Sequence, residues 1–596
     1  MSRPAGEAWG VSTRALLIFV LALTAIAYLA TLQFQFVYDD ESQIVGNQLI
    51  EQWHYVPFYF HIQVWAHVNP HQAGNYYRPI FMLWMRLNQA VFGYRPFCWH
   101  LTTVFMHVLA TFFVFKLAQR LSRRDDIALI TSLIFGLHPV HIEAVAWVSG
   151  VTEALFAVLL IASFLCFLDW RENRPNARTY SLVLYALAIF SKETAVLMMP
   201  LVFAYAWLYP QEEHPPILKR FWTSLAPALP YLGVTFIYLY FRSLALHGLF
   251  HVVDQLDRRT NLLTIPSVLW FYLKMLFMPV GLSAFYDVPY VTSPSLHQFW
   301  LPLLGVFVFG GALFCWWWKT RNPLIAFASV LMILPLVPLM NFSLFRFGEI
   351  AHDRYLYTPS IGFAILAALA IANLGRITSL SYSISLPWRK GGAAERGTVH
   401  GANENWGSLF YVAPIAMALL ALTVYQSLFW ADDLVLYSRG VQIAPNNNLA
   451  MNNLANELEQ RHMYAQAISM YARVLERNPT FYLANYNLGY VSYESGNYEQ
   501  GERFLKRAAV LDPTDAETYY FLAKCEMQLG ELNDAETNLH RAIVVDQRLL
   551  GPRYTLGVLL KQEGRNREAL DYFRAELVKN PSDANARHEV EDLSGK

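Results

Sequence analysis

The sequence predicts an all-α protein in two parts: a polytopic transmembrane helical domain over residues 1–430, then an α-solenoid of helix pairs over 431–596. Three observations predict it. The 596 residues are 55% hydrophobic and only 15% charged, with a mean hydropathy of +0.27. A soluble protein carries charge on about a quarter of its residues. From residue 14 to 427 apolar runs alternate with short charged links, and after Trp430 the pattern turns polar and helical. That tail repeats itself, with Pro445, Pro479 and Pro513 falling 34 residues apart.

The first apolar run, 15–32, has no charged residue and is long enough to cross a bilayer as a helix. It follows Arg3 and Arg14 as a signal peptide would, but it exceeds the usual apolar core of one and reads as an uncleaved anchor. Short loops rich in Lys and Arg stay in the cytoplasm, so the N-terminus is placed inside and the loop 35–96 outside. Within that loop the amphipathic stretch 80–92 lies flat on the membrane. Ten further spans follow, at 97–117, 127–138, 154–168, 180–190, 195–209, 225–241, 300–318, 324–340, 356–371 and 409–428. This arrangement keeps Arg120, Arg123, Arg124, Arg171, Lys219, Arg220, Lys319, Arg321, Arg389, Lys390 and Arg396 inside. The segment 265–280 is read as an outer amphipathic or re-entrant helix, because a full crossing there would turn Lys319 and Arg321 outward. About eleven spans result, N-terminus cytoplasmic and repeats extracytoplasmic, in a membrane read as a bacterial inner membrane with the repeats in the periplasm.

In the tail, Pro581 continues the proline series and Gln547 fills the missing site. Small residues recur in phase at Ala455, Gly489, Ala523 and Gly557, and at Ala467, Gly501, Ala535 and Ala569. Gly496, Gly530 and Gly564 mark a turn that His462 occupies in the first unit. Small residues where two helices cross, with Pro closing the second helix, are the pattern of the tetratricopeptide repeat. About four such pairs stack into a short solenoid whose concave face suits an extended peptide or another protein. A spacer that only holds the membrane part in place is the plainer alternative.

The formal net charge is zero, so no nucleic-acid partner is indicated. Cys98, Cys166, Cys315 and Cys525 are scattered and form neither a zinc pattern nor a disulfide framework. The chemistry-bearing positions collect instead on the outer side. Tyr38-Asp39-Asp40-Glu41 stands directly behind the first span, where adjacent acids accept a proton, hold a metal, or simply mark the water interface. With it go Arg78, His138, His141, Glu143, Glu153, Lys192, Glu193, Arg242, Asp353, Arg354 and Tyr355. Acids and bases on one membrane face point to a cavity that holds an anion and activates a hydroxyl. Each also has a plainer reading. His138 and His141 are interfacial; Lys192 snorkels or pairs with Glu193; Arg242 anchors a headgroup; Arg354 pairs with Asp353 or Glu349.

The order of these pieces resembles a known family. One span leads to Phe36-Val37-Tyr38-Asp39-Asp40, and a long outer loop has a flat helix after Arg78-Pro79. Then come His138-Pro139-Val140-His141-Ile142-Glu143-Ala144, Ser191-Lys192-Glu193 and Asp353-Arg354-Tyr355-Leu356-Tyr357, with repeats closing the chain. This is similar to the GT-C class of membrane glycosyltransferases, and most to the transmembrane-and-tetratricopeptide O-mannosyltransferases and their bacterial relatives. The resemblance covers nearly the whole chain and implies an inverting enzyme. Its donor is a polyprenyl-phosphate sugar, and its acceptor is a protein hydroxyl reached from outside. It implies Asp39 as the catalytic base, with Asp40 tuning it as a neighbouring carboxylate, and Arg354, Lys192 and Arg242 on the donor phosphate. Arg78, His138, His141, Glu143, Glu153 and Tyr355 would support the cavity. No cofactor is called for beyond the lipid-linked sugar; Asp39, Asp40 and Glu143 offer carboxylates to a divalent ion that lipid-monophosphate relatives do not need. One departure stands out: where relatives tend to carry a basic residue after Trp-Val-Ser-Gly, this chain has Val151.

Two other readings compete. One is sugar transfer onto lipid or glycan; the other is a non-catalytic scaffold that assembles an envelope complex through its repeats. A transporter fits least, because the membrane part shows no internal repeat.

Overall fold

The computed structural model describes residues 11–68, 74–253, 255–345, 348–382 and 407–595. Arg3, Arg389, Lys390 and Arg396, used above to orient the spans, lie outside the described residues. Among the described residues every regular element is helical, so the all-α reading holds.

Among the described residues, the first unit, Met1–Arg439, has sixteen α-helices in chain order. They begin with α1 (Val11–Ala27), α2 (Pro79–Phe92), α3 (Pro96–Ser122) and α4 (Asp125–Leu137). Next come the short α5 (Ile142–Ala146), α6 (Thr152–Arg171), α7 (Ala177–Ser191) and α8 (Met198–Leu208). Then follow α9 (Ile217–Leu225), α10 (Leu229–Leu246), α11 (Arg258–Phe277) and α12 (Leu301–Thr320). The last are α13 (Pro323–Ile333), α14 (Pro359–Tyr382), α15 (Gly407–Ser427) and α16 (Asp433–Ile443), the division between units falling inside α16.

Each of the eleven apolar runs forms a helix, but they are not equal. Among the described residues, seven stretches are long and apolar enough to cross a membrane, or eight if the pair around Pro139, bent by 54°, counts as one. Thr13–Ala27, Ala177–Ser191, Glu193–Leu208 and Pro359–Leu374 are shorter. One of the seven, Arg258–Phe277, is the segment read above as an outer or re-entrant helix. It is continuous despite Pro266, and Asp257 caps its start by accepting from Thr260 N at 3.0 Å. Its two ends meet the same layer. Asn261 near its start bonds Met340 O and Phe342 N, and Leu276 O near its end accepts from His138. Tyr272 bonds His352 N between them. These contacts tie the helix at both ends and at Tyr272 to the segments that carry the charged residues.

That layer is built by the helix ends. α2 starts at Pro79, where a missing N–H costs nothing. It buries Phe81, Met82, Trp84 and Met85 against Trp99, Val148 and Val151. The chain returns to the same layer after α15. Thr423 donates to Leu137 O, Gln426 accepts from Leu282 N, and Asp433 accepts from Tyr38 N at 2.8 Å. Asp433 therefore belongs with the first unit, and the division lies after Arg439, later than the boundary at 430 read from composition.

The second unit, Gly440–Lys596, contains four helix pairs and a closing helix. The pairs are Asn448–Gln460 with Tyr464–Arg477, Tyr482–Glu494 with Tyr498–Leu511, Ala516–Leu529 with Leu532–Val545, and Pro552–Gln562 with Asn566–Lys579. Gly496, Gly530 and Gly564 all turn with φ near +80°, a conformation that costs glycine nothing. A Cβ on Gly557 would come within 2.7 Å of Phe573, which is why the crossing point takes small residues.

Candidate active site

The site starts from the turn behind α1. Tyr38 has φ +59°, which is unusual for a bulky residue and signals a backbone held by its surroundings. The bond to Asp433 holds one side, and its ring sits edge-on to Trp147, Phe285 and Tyr437. This bend sends the next two acids to different places.

Asp40 goes inward and is fully buried. Its carboxyl accepts from Ser149 Oγ at 2.6 Å, Ser149 N at 2.8 Å, Val148 N at 3.3 Å and Val37 N at 3.4 Å. Burial pushes its pKa up to about 7 against the pull of those four bonds. The cause is desolvation by burial. Asp40 thus ties the acidic turn to the Trp147-Val148-Ser149-Gly150 turn. Asp39 stays half-buried, with its carbonyl accepting from Gln43 N at 2.8 Å. The Tyr38 hydroxyl, raised first by burial, is raised further by Asp39 and Glu349 and lowered by Arg354. Those three charges therefore all act on one tyrosine.

The cations occupy distinct positions. Arg354 donates its backbone N to Glu143 at 2.9 Å, and its guanidinium pairs with the same carboxylate. Its partner is thus Glu143 and not Asp353 or Glu349. The guanidinium also lies 5.2 Å over both Trp147 and Tyr355. Asp353 instead accepts from the Tyr286 hydroxyl. Lys192 pairs with Glu153, both about 5% exposed, and its ammonium sits 5.8 Å over Tyr355. Glu193, the expected partner, is taken by Arg78 in a bidentate pair at 2.7 and 3.1 Å. Arg242 spends its guanidinium on Leu249 O, Tyr238 Oη and Asn75 O, so it braces the outer loop and does not face an open anion site.

The histidines stand behind this layer. His138 bonds Leu276 O at 3.0 Å, and His141 bonds Ser360 Oγ at 2.8 Å. Both are buried, which rules out the interfacial reading. Arg78 lies 4.9 Å over the Tyr76 ring. The Tyr76 hydroxyl is raised by burial, then lowered by Arg78 and Arg354 and raised by Glu349 and Glu193. Val151 is fully buried in the apolar cluster around Trp99, so this chain sets no charge there.

Ser149, Tyr76, Trp147, Tyr286 and Asp433 were not singled out from sequence. Ser149 lies within the Trp-Val-Ser-Gly stretch, which was the available signal; nothing local marks the others. What the arrangement offers is one half-buried carboxylate next to Tyr38, an arginine whose charge also acts on Tyr38, and aromatic rings around Tyr38 and Arg354. That combination can accept a proton from a hydroxyl and hold an oxyanion.

Comparison with known proteins agrees with the motifs. The chain is 24% identical to protein O-mannosyl-transferase F38B6.6 of Caenorhabditis elegans, over 72% of this chain and 58% of that protein. It is 23% identical to protein O-mannosyl-transferase TMTC3 of Mus musculus, over 74% of this chain and 48% of that one. The chain thus spans about half the length of the relatives it matches. A family model described as anaphase-promoting complex, cyclosome, subunit 3 matches residues 460–542, within the repeats. Among solved structures, the tetratricopeptide protein YrrB aligns at 21% identity with 27% of this chain and 82% of its own, at a TM-score of 0.25. The repeat assignment rests on the chain's own period and helix pairs. The chain is an apolar, multi-helix membrane protein with tetratricopeptide repeats, similar over most of its length to protein O-mannosyl-transferases.

Proposed function

We propose that this chain is a membrane glycosyltransferase that moves mannose or a similar hexose from a polyprenyl phosphate to a hydroxyl of a protein acceptor. The observation that carries the reading is the separation of Asp39 from Asp40. Asp40 is buried on Ser149, whereas Asp39 is half-buried beside Tyr38, a tyrosine whose hydroxyl feels the charges of both Asp39 and Arg354. In this reading Asp39 takes the acceptor proton as the hydroxyl oxygen bonds to the anomeric carbon. The bond from that carbon to the phosphate oxygen breaks, inverting the centre, and the lipid monophosphate leaves toward Arg354. Lys192 stands behind Tyr355 as a second cation, neutralised by Glu153 until a phosphate competes for it. Arg242 acts by holding the outer loop. The names of the relatives support the chemistry, and the clustering of the charged residues in one layer supports an extracytoplasmic site reached from one face. The repeats present the acceptor or a partner protein.

Asp39→Asn in the full chain tests this. Reconstituted vesicles are given a radiolabelled polyprenyl-phosphate mannose and extracted acceptor proteins. Loss of label transfer with unchanged donor binding is the expected result. Transfer at the wild-type rate would remove Asp39 as the base and favour the scaffold reading.

A further inference from the structure

A second feature lies at the other end of the membrane unit, away from the charged layer. Between α8, α9 and α13 is an apolar cleft of about 320 Å³, lined by Phe203, Ala204, Trp207, Phe221, Ala326 and Val330. The helical segment that runs into α8 starts in the charged layer at Glu193, and Phe203 lies ten residues on. At ~1.5 Å per residue the cleft starts roughly 15 Å below the site. An open groove with this apolar lining suits a hydrocarbon chain, whose burial there is favourable.

Its mouth is basic. α9 carries Lys219 and Arg220, the last turn of α12 carries Lys319, and the turn between α12 and α13 carries Arg321. Arg220 donates to Trp207 O at 3.0 Å and lies 4.6 Å over the Trp207 ring. Arg321 lies 3.8 Å over Trp318. Among the described residues only Lys219 of the four meets a carboxylate, the exposed Glu212 at 2.6 Å. α9 itself leaves Ile217, Leu218 and Trp222 exposed at 77%, 67% and 58%. An apolar face beside cations is the form of a helix that lies in the membrane interface. Anionic headgroups are drawn to cations placed there, and guanidinium groups suit phosphate geometrically.

We propose that this cleft is a binding site for an anionic phospholipid. One acyl chain fills the space between α8 and α13, and the headgroup phosphate rests among Lys219, Arg220 and Arg321. The site is separate from the transfer chemistry, and the inference stands or falls independently of that reading.

Native mass spectrometry of the purified full chain, titrated with phosphatidylglycerol, phosphatidylcholine and a polyprenyl phosphate, tests it. The wild type is expected to retain phosphatidylglycerol about tenfold more than phosphatidylcholine. Lys219→Gln with Arg321→Gln, both on exposed side chains, should bring the two lipids level. Ala326→Phe, which fills the cleft, should lower retention of both, while Ala326→Ser keeps the wild-type preference. Equal retention by the wild type, or a preference unchanged in the charge variant, would overturn the site. So would a polyprenyl phosphate displaced one-for-one by phosphatidylglycerol, which would give the cleft to the donor's own chain. If Ala326→Phe fails to fold, the charge variant alone decides.

Discussion

The two units bury acids in opposite ways. In the membrane unit Glu143, Glu153 and Glu193 each meet a cation: Arg354, Lys192 and Arg78. In the repeats Glu459 accepts from the Tyr471 hydroxyl, Glu526 from the Asn538 amide and Glu576 from Gly551 N. A cation keeps a buried carboxylate charged and stores positive charge that an incoming anion can claim. A neutral donor leaves the acid to gain or lose a proton with little else moving. Charge is held ready in one unit and merely accommodated in the other. Asp40 and Asp353, held by neutral donors inside the charged unit, fit the second pattern, which is why Asp40 reads as a brace beside the base.

The sharpest way to break this comparison is at Asp39. Asp39→Asn is expected to lower transfer by ~10²–10⁴ with no change in the thermal midpoint, as for loss of a general base. A fall in the midpoint comparable to that of a core substitution would make Asp39 structural. Next is the Lys192 pair. Glu153→Gln leaves a buried ammonium without its carboxylate and should destabilise the membrane unit by ~3–5 kcal/mol in detergent melts. Adding Lys192→Met should recover most of that loss; no recovery would mean that Glu153 acts through something besides the pair. In the repeats, Gly557→Leu forces a side chain against Phe573 and should cost ~1–3 kcal/mol in urea titration of the second unit's signal.

The smallest expected effect tests the proton-labile acids. Burial raises Glu526 from its ordinary value to about 7, against the pull of Asn538. The folded state therefore holds a proton between pH 4.5 and 7 that the unfolded state has released. Stability from this group is present below pH 4.5 and falls as pH rises to 7, with no further change above. Glu526→Gln should flatten that fall and raise stability at pH 8 by ~1 kcal/mol, after allowing for one weakened bond to Asn538. An unchanged pH slope would show that the acid is already ionised in the fold.

Much of this was legible in the chain itself. Every apolar run became a helix, and the 34-residue period placed the crossings at Gly489, Gly501 and Gly557. The members of the charged layer were legible too, since an acid or base beside a membrane span is conspicuous. Their pairing was not. Lys192 and Glu193 are adjacent, yet the backbone at Lys192 is extended between α7 and the following turn, which sends neighbouring side chains to opposite sides. Lys192 then finds Glu153 and Glu193 finds Arg78, 39 and 115 residues away. Asp433 was hidden for a different reason: composition changes at Trp430, but packing does not change until after Arg439.

That last mismatch matters to anyone who dissects the protein. A chain cut after Trp430, where hydropathy ends, would remove the carboxylate that pins Tyr38 in its left-handed bend. The acidic turn would then be free to relax toward an ordinary extended path and carry Asp39 with it. Such a fragment could insert, fold and still be silent, and its silence would be blamed on the missing repeats. A cut placed beyond Ile443 keeps the pin and makes that comparison a fair one.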